Sequence, residues 1–157
     1  AARSSTFKQT LFKLPMGSEL EMALPDGDFS LPDNSATKLI FVAGGIGVTP
    51  YRSMVKYLSD KGEKRSIKLL YGVCNEGELA FRDLFEKYGL ELVPLIGQPL
   101  TAEGILKAVG DPAGKLLYVS GPEPMVEALN DRLLAAGWLA DQLKTDDFPN
   151  YQNDYSR

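Results

Sequence analysis

The sequence predicts an α/β fold with a doubly wound, parallel, five-stranded sheet in the strand order 3-2-1-4-5. From residue 34 onward, short apolar runs alternate with stretches in which apolar residues recur at helical spacing, the pattern of repeated β-α units. The first run, 38–43, is apolar throughout after its lysine, which is typical of a strand buried on both faces. Glycine-rich turns follow the first and fourth runs, and strands 1 and 4 are neighbours in this fold, so the two turns should border one crevice.

Predicted strands and helices follow one another at regular intervals along this part of the chain. The strands are expected at 38–43, 67–73, 90–96, 116–120 and 142–145, and the helices at 49–61, 81–88, 101–109 and 121–136. Thr49 and Thr101 are expected to cap their helices, because a threonine side chain accepts a hydrogen bond from a free N–H of the first turn. The third strand contains Pro94, which has no N–H to donate, so it should lie at an edge of the sheet.

Residues 1–33 form a separate, turn-rich zone in the sequence. Phe7, Leu11 and Leu14 lie at helical spacing. The stretch 19–24 alternates charged and apolar residues, which predicts a strand, and 26–28 reads as a tight turn.

Composition excludes several classes of function. The net charge of −4 and the lack of a dense basic run argue against nucleic acid as a partner. The chain has no histidine and only one cysteine, Cys74, which excludes histidine-dependent catalytic triads and histidine- or cysteine-clustered metal sites, and no metal is expected. With no apolar stretch near the ~20 residues of a membrane span and no signal-peptide pattern, a cytoplasmic setting is expected.

The turn at 43–50, with the sequence AGGIGVTP, is the first candidate ligand site. Its glycines follow a strand and precede a helix, and glycine permits both a sharp turn and close approach of a ligand to the backbone. The free N–H groups and the dipole of a helix N-terminus attract an anion such as a diphosphate. The alternative is a tight turn that binds nothing, because the full G-x-G-x-x-G fingerprint is interrupted by Pro50.

The stretch 118–125, with the sequence YVSGPEPM, repeats this design after the fourth strand. Ser120 and Gly121 are its ligand candidates, whereas a methionine at helical spacing such as Met125 is usually a core residue. The alternative is that Gly121-Pro122 only starts a helix.

These residues resemble the ferredoxin–NADP reductase superfamily of flavoenzymes. The resemblance is carried by 43–54, by 118–125, by their spacing and by Phe81-Arg82-Asp83. It implies a flavin-binding β-barrel followed by a dinucleotide-binding domain, with hydride passing from NAD(P)H to FAD and on to an electron acceptor. On this basis 1–33 is a short C-terminal remnant of the barrel, 34–151 is the NAD(P)-binding domain and 152–157 is a tail.

The resemblance also implies roles for individual residues. The dinucleotide is expected to contact the two turns and the N-terminus of the last helix, at Gly44, Gly45, Gly47, Val48, Thr49, Pro50, Ser120, Gly121, Pro122, Glu123 and Met125. Thr49 and Ser120 are the catalytic candidates, beside the flavin–nicotinamide contact and the reacting nicotinamide carbon respectively. Candidate flavin contacts are Ser4, Ser5, Thr6 and Lys8 for the diphosphate, with Phe148 or Tyr151 stacked on the flavin ring. The alternative for the two aromatic residues is an exposed tail.

The choice between NADH and NADPH is expected to depend on the residues that follow the second strand. Cys74, Asn75 and Arg82 are candidate contacts there, and the carboxylates of Glu76 and Glu78 would repel a 2′-phosphate, so NADH is favoured. Arg82 could instead reach a 2′-phosphate. The Cys74 side chain is expected to be a small, buried or half-buried apolar group and not a redox thiol.

The leading hypothesis is therefore the NAD(P)H-binding part of a flavin-dependent oxidoreductase. The missing barrel is expected on the same gene or on a partner chain, and the electron acceptor is open. The alternatives are a non-catalytic dinucleotide-binding module and an electron-transfer subunit completed by a separate flavin-binding chain.

Overall fold

The computed structural model describes residues 5–21 and 27–148. Five strands, β1 (Lys38–Gly44), β2 (Ile67–Val73), β3 (Glu91–Ile96), β4 (Lys115–Pro122) and β5 (Leu143–Phe148), form one sheet. All neighbouring strands are parallel, in the order β3-β2-β1-β4-β5. The predicted fold class and strand order are confirmed.

Helices cover both faces of this sheet. They are α2 (Thr49–Lys61), α3 (Arg82–Tyr88), α4 (Ala102–Val109) and α5 (Glu123–Ala135). One core cluster joins α2 and α3 to side chains such as Phe41 and Leu69, and this side is called the α2 face. The other joins α4 and α5 to the opposite side chains, such as Ile40 and Val42, and is called the α5 face. Because successive side chains of a strand alternate between faces, the continuous apolar run of β1 serves both cores.

Local signals account for most of the element ends. The side chain of Thr101 accepts a hydrogen bond from Gly104 N and caps α4, as predicted. Gly62 and Gly89 end α2 and α3 in the left-handed conformation, which glycine adopts without a steric penalty. Strand β3, with Pro94, lies at an edge of the sheet formed by the described residues and pairs there with β2, as predicted.

Several predicted boundaries are wrong. Thr49 does not cap α2, because the turn Gly45–Val48 is already wound as a 3₁₀ helix and Thr49 is itself helical. Its hydroxyl donates to Ile46 O at 3.0 Å. Gly121 and Pro122 pair with β5 and end β4 instead of opening a helix. The helix predicted to begin at residue 81 begins at Arg82, because Phe81 has a left-handed backbone conformation.

The last strand also differs from its prediction. It is longer than 142–145 and runs through Phe148, so this aromatic side chain belongs to the sheet and not to a tail. The sequence LKTDDF has only one apolar residue at its start, so it does not form the apolar run by which the other strands were predicted. Pairing with β4 in register supplies the backbone hydrogen bonds instead.

The described residues before β1, 5–21 and 27–37, contain one helix, α1 (Thr6–Lys13), which has no buried residue. Helical spacing predicted this helix, which ends before Leu14. The predicted strand at 19–24 does not form over 19–21, where the chain is exposed and pairs with no other strand; the rest of it lies outside the described residues. The segment 27–33, by contrast, contacts the sheet, where Phe29 and Leu31 pack on the α2 face.

Candidate functional site

A cleft of about 580 Å³ opens at the carboxyl ends of β1, β2 and β3. Its volume lies within the range of roughly 300–1,000 Å³ that is typical of sites for small ligands and cofactors. The cleft is bordered by glycines, apolar side chains and two uncharged polar ones: Gly44, Gly45, Gly72, Val73, Cys74, Gly97, Gln98, Pro99, Leu100 and Met125. In open parallel sheets, ligands bind at this edge, where connections leave toward opposite faces.

The turn Gly45–Val48 forms one end of the cleft. Gly45 has φ 52°, in the left-handed region, which lets β1 turn directly into the helical segment that continues as α2. Because the first N–H groups of a helical segment have no carbonyl within it to bond, this turn presents donors to an anion. Ile46 is exposed beside them, whereas Gly47 and Val48 are buried and Thr49 and Pro50 are half-buried.

Gly47 holds the two predicted turns against each other. A Cβ atom at this position would lie 2.1 Å from Ser120 O and 2.6 Å from Gly121 N. Both contacts are with backbone, so no side-chain movement could relieve them. The two turns therefore share one edge of the sheet, as the sequence indicated.

Two apolar side chains form the walls of the cleft, and glycines make room for them. A Cβ at Gly72 would lie 2.9 Å from Leu100 Cδ1, and one at Gly44 would lie 2.5 Å from Met125 Sδ. Met125 is half-buried and packs on the α5-face core, so it is both a core residue and a lining residue. The resulting floor is backbone, which a flat ring or a diphosphate can approach closely.

Ser120 lies behind the turn and is fully buried. Its hydroxyl donates to Asp146 Oδ2 at 3.4 Å, across the in-register pair that these residues form between β4 and β5. Partial burial is the main cause that raises the pKa of Asp146, the negative charge of Asp147 raises it further, and the bond from Ser120 opposes both. Asp146 was not among the predicted site residues, because β5 was expected to end one residue earlier.

Tyr51, on α2, lies near enough to Asp146 for the two groups to interact electrostatically. It is fully buried, and its phenol donates to Val42 O at 3.0 Å. Burial raises the pKa of Tyr51 well above that of an exposed tyrosine, so the phenol keeps its proton and its role as donor.

The residues that follow β2 are organised by Glu78. Its carboxylate accepts hydrogen bonds from Cys74 N at 3.1 Å and from Asn75 Nδ2 at 2.6 Å. Cys74 borders the cleft but is exposed, so the prediction of a buried or half-buried side chain is wrong, since the strand ends at Val73 and the chain then leaves the core.

Arg82 is exposed and does not border the cleft. It forms ion pairs with Glu86, at 2.7 Å, and with Glu76, at 3.4 Å. The Glu86 carboxylate is the main cause that raises the pKa of Arg82. Neither Asn75 nor the carboxylates of Glu76 and Glu78 belong to the lining.

The remaining candidates lie in three places. Gly121 and Pro122 are buried at the end of β4, and Glu123 is exposed at the start of α5. On α1, Ser5 is the cap that accepts from Lys8 N at 3.3 Å, and Thr6 is the first helical residue. Phe148 is half-buried on β5, whereas Ser4 and Tyr151 lie outside the described residues.

The end of β3 supplies part of the cleft that sequence reasoning missed. Gly97, Gln98, Pro99 and Leu100 border it, and Gln98 carries the longest polar side chain among the lining residues. The signal was present as a glycine directly after the third apolar run, which is the same strand–glycine sequence that marks the other two turns.

The arrangement fits a nucleotide-binding site better than a metal-binding site or a site with a catalytic nucleophile. In the described residues, 5–21 and 27–148, no group of three or more cysteine, aspartate or glutamate residues could hold a metal ion. A backbone floor beside free N–H donors and two apolar walls fits a molecule that has both a diphosphate and flat rings. Over the same residues, no helix has the length and apolar character that crossing a membrane requires.

Comparison with known proteins agrees with this geometry. Residues 41–93 match the family model of the oxidoreductase NAD-binding domain. The chain is 32% identical over 133 residues to the reductase component of phenol 2-monooxygenase from Pseudomonas sp. strain CF600, covering 74% of this chain and 38% of that protein. It is 34% identical over 122 residues to the phthalate 4,5-dioxygenase reductase subunit of Pseudomonas putida, covering 73% and 36% respectively.

Solved structures show the same fold. The cytochrome b5 reductase domain of Ulva prolifera nitrate reductase matches with a TM-score of 0.71 at 20% identity, over 90% of this chain and 64% of that one. Ferredoxin-NADP⁺ reductase from Plasmodium falciparum matches with a TM-score of 0.64 at 19% identity, over 78% and 57%. The chain spans less than half the length of the two curated relatives. With its strand order, paired glycine turns and matching family model, the chain belongs to the ferredoxin–NADP reductase superfamily, of which it contains the NAD-binding domain.

Proposed function

We propose that this chain binds NAD(P)H in the cleft at the ends of β1, β2 and β3, as the nicotinamide side of a flavin-dependent reductase. The observation that carries the proposal is the glycine floor of the cleft, which leads directly into the N-terminus of a helical segment. This combination places anion-binding N–H groups beside a surface that rings can approach. The match of 41–93 to an NAD-binding family supports the same ligand.

The residues around the cleft would hold and orient the dinucleotide. The N–H groups at the start of the turn Gly45–Val48 would bind the diphosphate, while Leu100 and Met125 would enclose the rings that extend from it. Ser120 and Asp146 lie behind the same turn, where their paired side chains would fix its position and the local charge. No proton transfer from a histidine is needed, because hydride chemistry belongs to the cofactors.

The flavin would be held by the part of the protein that precedes this domain. FAD supplies the chemistry of accepting a hydride and releasing electrons one at a time. Ser4, Ser5, Thr6 and Lys8 would meet its diphosphate, and Phe148 or Tyr151 its ring. We place the remnant of the barrel in 1–33, the dinucleotide-binding domain in 34–151 and a tail in 152–157.

The electron acceptor is proposed from the chemistry that the relatives' names imply. Both curated relatives described above are named as reductase parts of oxygenases. We propose that this protein likewise passes electrons to an oxygenase component or to a redox protein that serves one.

Binding of NADH to the purified chain tests the proposed site. Ile46 is exposed on the turn, so Ile46→Glu places a negative charge where the diphosphate should bind. The carboxylate repels the diphosphate and competes with it for the helix N-terminus, so NADH affinity should fall about tenfold. The matched control is Leu139→Glu, another exposed apolar residue. It should change the dissociation constant, measured by calorimetry, by less than twofold.

Two outcomes would contradict the proposal. Equal NADH affinity in the Ile46→Glu and Leu139→Glu variants would move the site away from the turn. A full-length protein that binds NADH but shows no flavin absorbance would instead favour the non-catalytic binding module.

A further inference from the structure

The segment 27–33 is attached to the sheet at three points along its length. Tyr118 Oη donates to Ser30 O at 2.8 Å, and Arg65 Nη1 donates to Pro32 O at 2.6 Å. Lys144 Nζ lies 3.4 Å from an oxygen of Asp28. The first two bonds hold backbone carbonyls, so they fix the path of the chain and not only the position of a side chain.

Buried groups make this attachment firm. Tyr118 is 1% exposed, and the side chain of Arg65 is 7% exposed and is also held by Glu63 Oε1 at 2.6 Å. Phe29 packs edge-on against Tyr118, with ring centroids 5.3 Å apart, and tilted against Tyr51, at 6.0 Å. The contact between Lys144 and Asp28 is exposed and adds little.

The attachment lies next to the candidate catalytic edge of the sheet. Tyr118 and Lys144 form an in-register pair between β4 and β5, two residues before the pair Ser120 and Asp146. Residues two apart on a strand share a face and are separated by about 6.6 Å. The segment 27–33 therefore meets the sheet about one side chain away from Ser120 and Asp146.

We infer that Tyr118 and Arg65 are positioning residues for hydride transfer. By fixing 28–32 against the α2 face, they set where the preceding, flavin-holding part of the protein sits relative to the nicotinamide. This inference rests on the proposed function, and neither residue borders the cleft. Hydride transfer needs reacting atoms about 3–3.5 Å apart, and a misplacement of about 1 Å that arises far from the chemistry can cost roughly a hundredfold in rate.

The test uses the full-length protein with its flavin and compares Tyr118→Phe with Tyr71→Phe. Both changes remove one phenol hydroxyl that donates to a carbonyl, but Tyr71 donates to Glu78 O, at 3.2 Å, whereas Tyr118 donates to Ser30 O within 27–33. Stopped-flow reduction of the flavin by NADH should slow about threefold to tenfold in Tyr118→Phe, the factor expected for the loss of one buried hydrogen bond. The NADH dissociation constant of Tyr118→Phe should stay within twofold of the value for the unchanged protein. The rate of flavin reduction in Tyr71→Phe should also stay within twofold of that in the unchanged protein.

Arg65 supplies an independent second measurement. Arg65→Met keeps the apolar stem but removes the donors to Pro32 O, and Arg65→Lys returns one donor. Flavin reduction should be slow in the first and partly restored in the second. Amide hydrogen exchange of 28–33 should be faster in Arg65→Met and Tyr118→Phe than in Tyr71→Phe.

Each outcome decides the inference. Equal rates in Tyr118→Phe and Tyr71→Phe would overturn it, and so would a loss of NADH binding that parallels the loss of rate, since that indicates general damage. If the unchanged protein holds flavin that NADH does not reduce, the proposed function itself fails.

Discussion

At the scale of single residues, Gly47 shows that a motif glycine can be required by contacts within the protein itself. The sequence suggested that the glycines of 43–50 admit a diphosphate to the backbone. The structure shows a further requirement for glycine at position 47, because a Cβ there would lie 2.1 Å from Ser120 O, in the backbone at the end of β4. Gly45, half-buried at the cleft with φ 52°, is the glycine whose conformation forms the turn itself. Sequence alone could not separate these roles, because both require the same residue type.

Asp146 is the residue whose charge should make stability depend on pH. Its pKa is raised in the folded state, mainly by burial, so folding disfavours its ionised form. Ionised Asp146 therefore lowers stability at neutral pH, and this penalty disappears below the ordinary pKa of 3.8, where the folded and unfolded states are both protonated. Asp146→Asn should raise the free energy of unfolding at pH 7, because the amide oxygen still accepts from Ser120 and carries no charge.

Urea unfolding of Asp146→Asn at a series of pH values checks this. The gain over the unchanged chain should shrink as pH falls and vanish near pH 3. Asp131→Asn, at an exposed aspartate of α5, is the control and should show no such trend. A destabilised Asp146→Asn at pH 7 would mean that the carboxylate is needed for packing or bonding that burial alone does not describe.

At the scale of elements, periodicity predicted the sheet because burial on both faces leaves a strong pattern. The apolar run 38–43 and the similar runs of β2 and β4 indicate buried strands, and their predicted order is the one typical of a doubly wound dinucleotide-binding fold. Strand β5 was predicted too short because four of its six residues are polar, and its pairing depends on a neighbour that is distant in sequence. The cap of α2 was misplaced because a 3₁₀ turn and an α-helix share the same local signals.

The end of β3 should decide which coenzyme the cleft accepts. None of the described residues that border the cleft is charged, so a 2′-phosphate would find no cation there, whereas the amide of Gln98 can bond to a ribose diol. Gln98→Arg should tighten NADPH binding about tenfold or more, because a guanidinium can form two bonds to a phosphate. Calorimetric titration with NADH and NADPH measures both affinities.

Glu76→Arg is the control for this prediction, since it places the same cation beyond β2 and outside the lining of the cleft. It should leave the preference for NADH over NADPH within about twofold. If Glu76→Arg gains NADPH affinity and Gln98→Arg does not, the residues after β2 determine the coenzyme, as the sequence indicated.

At the scale of the whole molecule, the sheet is joined to the chain before it by the short segment 27–33. All described residues from 5 to 21 are exposed, so they contribute little to the stability of the dinucleotide-binding unit. Phe29 and Leu31, by contrast, pack on the α2 face, and Ser30 and Pro32 accept hydrogen bonds from Tyr118 and Arg65. The domain boundary predicted at residues 33 and 34 remains a prediction, and the contacts of this segment offer a way to locate it.

Two truncations test where the stable unit begins. A chain of residues 27–157 should unfold in urea within about 1 kcal/mol of the full sequence, because the described part of the deleted region buries nothing. A chain of residues 34–157 should lose about 2–4 kcal/mol, the sum of two partly buried apolar side chains and two hydrogen bonds to carbonyls. Both should still bind NADH where they are folded, because the cleft lies wholly within 44–125. Equal free energies of unfolding for the two truncations would show that the contacts of 27–33 with the sheet do not stabilise the fold. The hydrogen bonds from Tyr118 and Arg65 would then not hold this segment in place.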